Sequence, residues 1–132
     1  YHRHILETRE RFQRHIHGLY KWVARQRKRL HPVDLAVGFY WRALSQPQLF
    51  IEGNHRTGNI VLNYLLISHE RGPFFISSEN AYDYLEVSGD IKFTDKTKFQ
   101  GSLIQRPGHG KSLRRILDQY GDTAYLVEGG DA

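Results

Sequence analysis

Apolar residues recur near the start of the chain at the spacing of one helix face. They are Ile5, Phe12, Ile16, Leu19 and Val23. Their intervals of seven, four, three and four residues place the side chains on the same side of a helix. We therefore predict a long amphipathic helix from about residue 3 to Leu30. It ends there because Pro32 disfavours helical geometry at the residue before it.

Two further helices are predicted in the middle of the chain. Pro32 and Asp34 favour the start of a second helix, whose apolar face continues to the polar segment near Ser45. Between Asn59 and His69 seven of the eleven residues are apolar and lie almost all round the helix, and a helix that is hydrophobic on all sides is a buried one. We expect this third helix to be the buried centre of the fold.

The second half of the chain carries weaker helix signals. A fourth helix is expected to end at Gly89, and a short fifth helix should run from about Lys111 to Tyr120. Together these segments predict one mainly α-helical domain of 132 residues around a buried central helix. The sequence has no methionine, even at position 1, and we expect it to be a fragment or a trimmed form of a longer chain.

Composition and charge narrow the function classes. No cysteine is present, which excludes a disulfide framework, a thiolate metal site and a cysteine nucleophile. Residues 1–31 carry nine basic and two acidic side chains, whereas the remaining residues carry ten basic and twelve acidic ones. We interpret the basic segment, residues 21–29, as a solvated helix end, where the helix dipole favours cations. A nucleic-acid partner is therefore not expected, and an electrostatic adaptor based on this segment is an alternative whose binding would weaken steeply with salt.

The sequence contains no signal for a membrane. No apolar run reaches the roughly eighteen residues that a membrane span needs. No signal peptide opens the chain either. We therefore expect a cytoplasmic protein without a membrane partner.

The residues that carry chemistry lie between Gln48 and Gly58, directly before the third predicted helix. They include Glu52, Gly53, Asn54 and Arg56. The first N–H groups of a helix have no partners within the helix, and with the positive end of the helix dipole they attract anions. A guanidinium can hold phosphate oxygens in a bidentate way, an amide can donate hydrogen bonds, and a carboxylate is a suitable ligand for Mg²⁺. These residues predict a phosphate site with a magnesium ligand.

This segment resembles the central motif of Fic (Fido) domains, His-x-Phe-x-(Asp/Glu)-Gly-Asn-x-Arg-x-x-Arg. Five positions match in the correct order and between two predicted helices: Phe50, Glu52, Gly53, Asn54 and Arg56. Fic domains are helical, and they typically act as protein adenylyltransferases that transfer AMP from ATP to a protein hydroxyl. The resemblance implies a Fic-like helical domain over about residues 3–87. It also implies ATP or a related nucleotide with Mg²⁺ as cofactors, and a protein target with a hydroxyl side chain.

The resemblance implies a role for each matched residue. Glu52 would bind the Mg²⁺ that bridges the nucleotide phosphates, Asn54 and the loop backbone would cradle the α-phosphate, and Arg56 would hold the β- and γ-phosphates. Phe50 would anchor the loop in the core. The nucleotide-binding set is completed by Gly53, Thr57 and Gly58.

Two positions depart from the Fic motif. Gln48 stands where the family has its catalytic histidine, and an amide cannot serve as a general base near neutral pH. Asn59 stands where the family has a second arginine, which removes one cation from the leaving phosphate. The chain would therefore bind a nucleotide without the usual transfer, use another base, or carry an engineered glutamine. His55 is either that substitute base or an exposed loop histidine. The alternative function is a catalytically inactive Fic-like binding or regulatory module.

Overall fold

Five helices make up the described part of the chain. A computed structural model describes residues 1–95 and 108–121. The helices are α1 (His2–Gln26), α2 (Pro32–Leu44), α3 (Asn54–Ser68), α4 (Ala81–Phe93) and α5 (Gly108–Tyr120). Within these residues there is no strand, and an isolated parallel bridge joins Gln46 to Asp95. The prediction of a mainly α-helical fold is confirmed.

The buried centre of the fold is α2. It packs against each of the other four helices, and nine of its thirteen residues are buried. The side chains buried around it are Leu19 and Trp22 of α1, Leu62, Leu65 and Leu66 of α3, Tyr84 and Ile91 of α4, and Leu113, Ile116 and Leu117 of α5. Burial of one such side chain contributes about 1.5–3 kcal/mol. Apolar contacts on all sides therefore fix the position of α2.

The prediction that α3 is the buried central helix was wrong. Its inner face is buried at Leu62 and Leu66, whereas Ile60, Tyr64 and Ile67 are exposed on its outer face. Both faces are apolar in sequence, so the local pattern does not distinguish the side that meets α2 from the side that meets solvent. The helix also begins at residue 54, five residues earlier than predicted, so the motif residues after residue 53 belong to its first turns.

The connection between α1 and α2 explains why α1 is shorter than predicted. It ends at Gln26 instead of Leu30. His31 is extended, with φ −57° and ψ 142°, and its Nδ1 accepts a hydrogen bond from Val33 N–H at 3.2 Å. Because His31 caps α2 directly before Pro32, the preceding residues must turn away from the α1 axis. Both ends of α2 agree with the prediction.

Each of the last two helices differs from the prediction at one boundary. α4 does not end at Gly89 but continues to Phe93. A glycine inside a helix costs about 1 kcal/mol, and the burial of Ile91 in the core on the following turn offsets this cost. α5 ends at Tyr120, as predicted, but it begins at Gly108, three residues before the predicted start at Lys111.

Candidate anion site at the start of α3

One buried asparagine holds the segment between α2 and α3. Asn54, the first residue of α3, is only 7% exposed. Its Oδ1 accepts a hydrogen bond from Phe50 N–H at 2.8 Å, and its Nδ2 donates to Phe50 C=O at 2.8 Å. Nδ2 also donates to Oε1 of Gln48 at 3.3 Å. The side chain therefore uses both of its protons within the loop and holds the loop in place. The phosphate contact that the resemblance implies for Asn54 stays a prediction.

Gln48 belongs to the same hydrogen-bonded loop. Its Nε2 donates to the C=O of Leu44, the last residue of α2, at 3.0 Å, and its Oε1 accepts from Asn54. The half-buried side chain thus connects the end of α2 with the start of α3. An amide in this place stabilises the loop, but it cannot remove a proton from a hydroxyl.

Two apolar residues attach the loop to the core. Phe50 is half-buried, and its ring centroid lies 5.5 Å from that of Phe12 of α1. Leu49 is buried more deeply, at 2% exposure. Phe50 contacts the core, as the resemblance implied, but Leu49 is the deeper anchor and the motif did not single it out.

The loop leads into a helix start that no side chain caps. Gly53 precedes α3 with φ 78° and ψ 13°, a left-handed conformation that glycine adopts more readily than other residues. The first backbone bond of the helix is donated by Thr57 N–H to Gly53 C=O at 2.9 Å. The N–H groups of residues 54–56 therefore have no partner within the helix. Together with the positive end of the helix dipole, they favour an anion at this place.

Two charged residues beside the helix start are exposed. Neither Glu52 nor Arg56 forms a hydrogen bond or an ion pair with a described residue. Within residues 1–95 and 108–121, no three His, Cys, Asp or Glu side chains come together to hold a metal ion. A cage made only of protein ligands is not needed for Mg²⁺, which proteins usually bind through one or two carboxylates and substrate phosphates. Glu52 fits that role, and Arg56 fits that of a phosphate ligand.

The next two motif residues serve the packing of α3. Thr57 is half-buried, and Gly58 is buried against Tyr40 of α2. A Cβ on Gly58 would lie 3.1 Å from the Tyr40 ring. Gly58 therefore allows α2 and α3 to approach each other, and the nucleotide contact that the resemblance implies for it stays a prediction.

Hydrogen-bonded polar side chains cross the core beneath the start of α3. We call them the polar chain; its members are Asn59 and His55 of α3, Tyr84 and Ser88 of α4, and Tyr40 of α2. Nδ2 of Asn59 donates to the Tyr84 hydroxyl at 3.2 Å, which lies 2.7 Å from the Tyr40 hydroxyl. The Tyr40 hydroxyl lies 2.7 Å from Oγ of Ser88, which lies 2.8 Å from Nδ1 of His55. The polar chain thus joins three helices inside the core.

Burial sets the charge states in the polar chain. It raises the pKa of Tyr40, and the neighbouring Tyr84 adds to this effect. Burial, followed by the positive charge of Lys92, lowers the pKa of His55. Both side chains are therefore neutral near pH 7. The interpretation of His55 as an exposed loop histidine was wrong, because its ring is half-buried and bonded to Ser88.

Asn59 does not replace the second arginine of the Fic motif in function. Its side chain takes part in the polar chain, and its Oδ1 is buried without a hydrogen-bond partner in the described part of the protein. Among the motif positions, all of which the structure describes, only Arg56 therefore provides an exposed guanidinium, where the family motif has two arginines.

No helix in the described ranges combines the length and apolar character that crossing a membrane requires.

Comparisons with known proteins add no relative. No protein-family model matches the chain, and no curated protein or solved structure shows a significant match to it. The resemblance to Fic domains therefore rests on the motif residues themselves.

Proposed function

We propose that this chain is a Fic-like domain that binds the phosphate groups of a nucleotide, together with Mg²⁺, at the start of α3. The uncapped helix start, held in place by the side chain of Asn54, carries the proposal. Backbone N–H groups at this start donate to phosphate oxygens. The Arg56 guanidinium adds a cation beside them, and the Glu52 carboxylate offers an oxygen ligand to the metal.

The composition of the site suits a phosphorylated ligand. Several N–H donors and one guanidinium can satisfy more oxygen atoms than a carboxylate ligand carries, whereas a di- or triphosphate offers enough. The preference for a nucleotide over other phosphorylated ligands comes from the motif resemblance. ATP with Mg²⁺ is therefore the first ligand to test.

Calorimetric titration with ATP and Mg²⁺ tests the binding. We expect Arg56→Ala to weaken binding about tenfold to a hundredfold, because hydrogen bonds to charged groups contribute about 1.5–3 kcal/mol. The matched control is Arg25→Ala, an exposed arginine in the basic segment, which should leave the affinity unchanged. No heat with the wild-type chain would contradict the proposal. Equal weakening by both variants would assign the binding to the basic segment.

Transfer of AMP to a protein hydroxyl is the further activity that the resemblance implies. Gln48 supports binding without transfer, because its amide is not a base and is bonded within the loop. Labelled ATP and a cell lysate can compare the wild-type chain with Gln48→His and His55→Ala. We expect no labelled protein with the wild type and labelling only with Gln48→His. Labelling by the wild type that is lost in His55→Ala would contradict this and identify His55 as the base.

A further inference from the structure

The protonation of the His55 ring decides what this residue can do at the anion site. A neutral imidazole has one donor nitrogen and one acceptor nitrogen, and the hydrogen bond made by one nitrogen fixes the state of the other. Nδ1 of His55 bonds to Oγ of Ser88, while Nε2 makes no hydrogen bond to a described residue. The role of Nε2 therefore depends on whether Nδ1 accepts or donates.

The far end of the polar chain sets the direction of its hydrogen bonds. The NH₂ group of Asn59 only donates, so the Tyr84 hydroxyl accepts from it. The Tyr84 hydroxyl is buried and has no acceptor other than Tyr40 among the described residues, so its single proton goes to Tyr40. By the same reasoning Tyr40 donates to Ser88, and Ser88 donates to Nδ1 of His55. Nδ1 is then the acceptor.

The orientation of the Asn59 amide determines this direction. Oδ1 is the buried atom that lacks a partner among the described residues, and Nδ2 faces Tyr84. If the amide were rotated so that Oδ1 faced Tyr84, its NH₂ group would be buried where neither proton has an acceptor among the described residues. Buried N–H groups without a partner are rarer in proteins than carbonyl oxygens with unused acceptor capacity. The orientation with Nδ2 toward Tyr84 is therefore the more stable one.

We propose that the polar chain holds His55 in the tautomer with its proton on Nε2, which makes His55 a hydrogen-bond donor to an anion at the start of α3. The ligand part of this inference rests on the proposed function. Ser88 is the positioning residue of the ring, and Asn59 sets its tautomer through four successive hydrogen bonds. Because Nε2 already carries a proton and Nδ1 is occupied, His55 is not the substitute base.

Nitrogen-15 NMR of the histidine rings in the ligand-free full chain tests the tautomer. The chain contains an internal reference in His69, whose Nδ1 lies 2.8 Å from the C=O of Leu65. A carbonyl only accepts, so His69 holds its proton on Nδ1. We expect the opposite pattern for His55, with Nε2 protonated and Nδ1 not. A proton on Nδ1 of His55 in the wild-type chain would overturn the proposal.

Two substitutions test whether the polar chain causes this preference. Ser88→Ala removes the last donor, so it should replace the single His55 tautomer by a mixture of both. Asn59→Asp places an acceptor before the Tyr84 hydroxyl, so it should reverse the hydrogen bonds and move the His55 proton to Nδ1. Ser68→Ala is the matched control, because it removes a hydroxyl 3.2 Å from Nδ1 of His69 and should leave His55 unchanged. Amide spectra verify that the variants fold. An unchanged single tautomer in a folded Ser88→Ala variant would overturn the positioning role, and the wild-type spectrum decides the tautomer even if a variant does not fold.

Addition of ligand separates this inference from the proposed function. ATP with Mg²⁺ should shift the Nε2–H resonance of His55, and adenosine, which has no phosphate, should not. Binding of ATP that leaves the Nε2–H resonance unchanged would overturn the donor role. No binding of ATP at all would overturn the proposed function, while the tautomer of the ligand-free chain would still be decided by its own spectrum.

Discussion

The outer and inner sides of the first turns of α3 use their polar groups in different ways. On the outside, Arg56 of the first turn and Glu52, which lies just before the helix, are exposed and have no partner among the described residues. On the inside, Asn54, His55 and Asn59 are bonded to the loop and to the polar chain. Residues four apart share a helix face, whereas adjacent residues are separated by roughly 100° around the axis. The helix thus divides one continuous motif into residues that hold the structure and residues that can contact a ligand, and His55 takes part in both, because Nδ1 is bonded inside while Nε2 has no partner among the described residues.

Asn54→Ala should produce the largest loss of stability on the inner side. It removes the hydrogen bonds to the N–H and C=O of Phe50 and to Gln48, and a buried polar group left without its partner costs about 1–3 kcal/mol. We expect the free energy of unfolding, measured by urea denaturation, to fall by about 2–3 kcal/mol. The exposed Gln13→Ala on α1 serves as the control. Equal stability of the two variants would show that Asn54 does not hold the loop.

Tyr40→Phe should have the next largest effect, because it keeps the ring but removes the hydroxyl at the middle of the polar chain. Two hydrogen bonds are lost, to Tyr84 and to Ser88. We expect unfolding to require about 1–2 kcal/mol less free energy. The exposed Tyr64→Phe, which removes a hydroxyl on the outer face of α3, should cost nothing measurable. A Tyr40→Phe variant as stable as the wild type would contradict the hydrogen bonding of the polar chain.

The pKa of His55 predicts a smaller effect that depends on pH. Burial and Lys92 lower this pKa in the folded chain below the ordinary value of 6.5 that applies when the chain is unfolded. As the pH falls below 6.5, His55 takes up a proton more readily in the unfolded chain than in the folded chain, so the free energy of unfolding decreases. Above pH 6.5 His55 is neutral in both states and does not change the stability with pH. Urea denaturation at a series of pH values should show a shallower decline in His55→Gln than in the wild type. The exposed His17→Gln should follow the wild type, and a decline equally steep in all three proteins would contradict the prediction.

Arg56→Ala should have the smallest effect on stability, although we expect it to have a large one on ligand binding. Its side chain is exposed and has no partner among the residues that the structure describes. Substitutions at such surface positions usually change the free energy of unfolding by less than about 0.5 kcal/mol. Denaturation in the absence of ligand checks this expectation. A loss as large as that of Asn54→Ala would mean that Arg56 is a structural residue, and the contrast between the two sides would fail.

The sequence predicted those features of the fold that depend on local signals. Both ends of α2 follow from Pro32 and from the polar segment at Ser45, and the loop before α3 was located from its motif. The buried side of α3 could not be predicted, because its outer residues such as Ile60 are as apolar as its inner ones. Burial there depends on which face α2 covers, and that is a tertiary property.

The residues of the polar chain could not be predicted from the local sequence pattern, because they come from three different helices. Tyr84 and Ser88 lie four residues apart and therefore share a face of α4, a spacing that could have marked them as a pair. Their partner Tyr40 lies 44 and 48 residues away, and no local signal connects them. For the same reason the motif did not show that Asn54 holds the loop and that Gly58 serves the packing of α3 against α2.

The measurement that tests the anion site most directly is the response of backbone amide resonances to ATP with Mg²⁺. In nitrogen-15 NMR spectra, we predict that the largest shifts occur at the N–H groups of residues 54–56, where the helix start has no internal partners. The same titration of Arg56→Ala should need a higher ligand concentration to reach these shifts. Shifts that are confined to the basic segment, residues 21–29, or spectra without any change, would contradict an anion site at the start of α3.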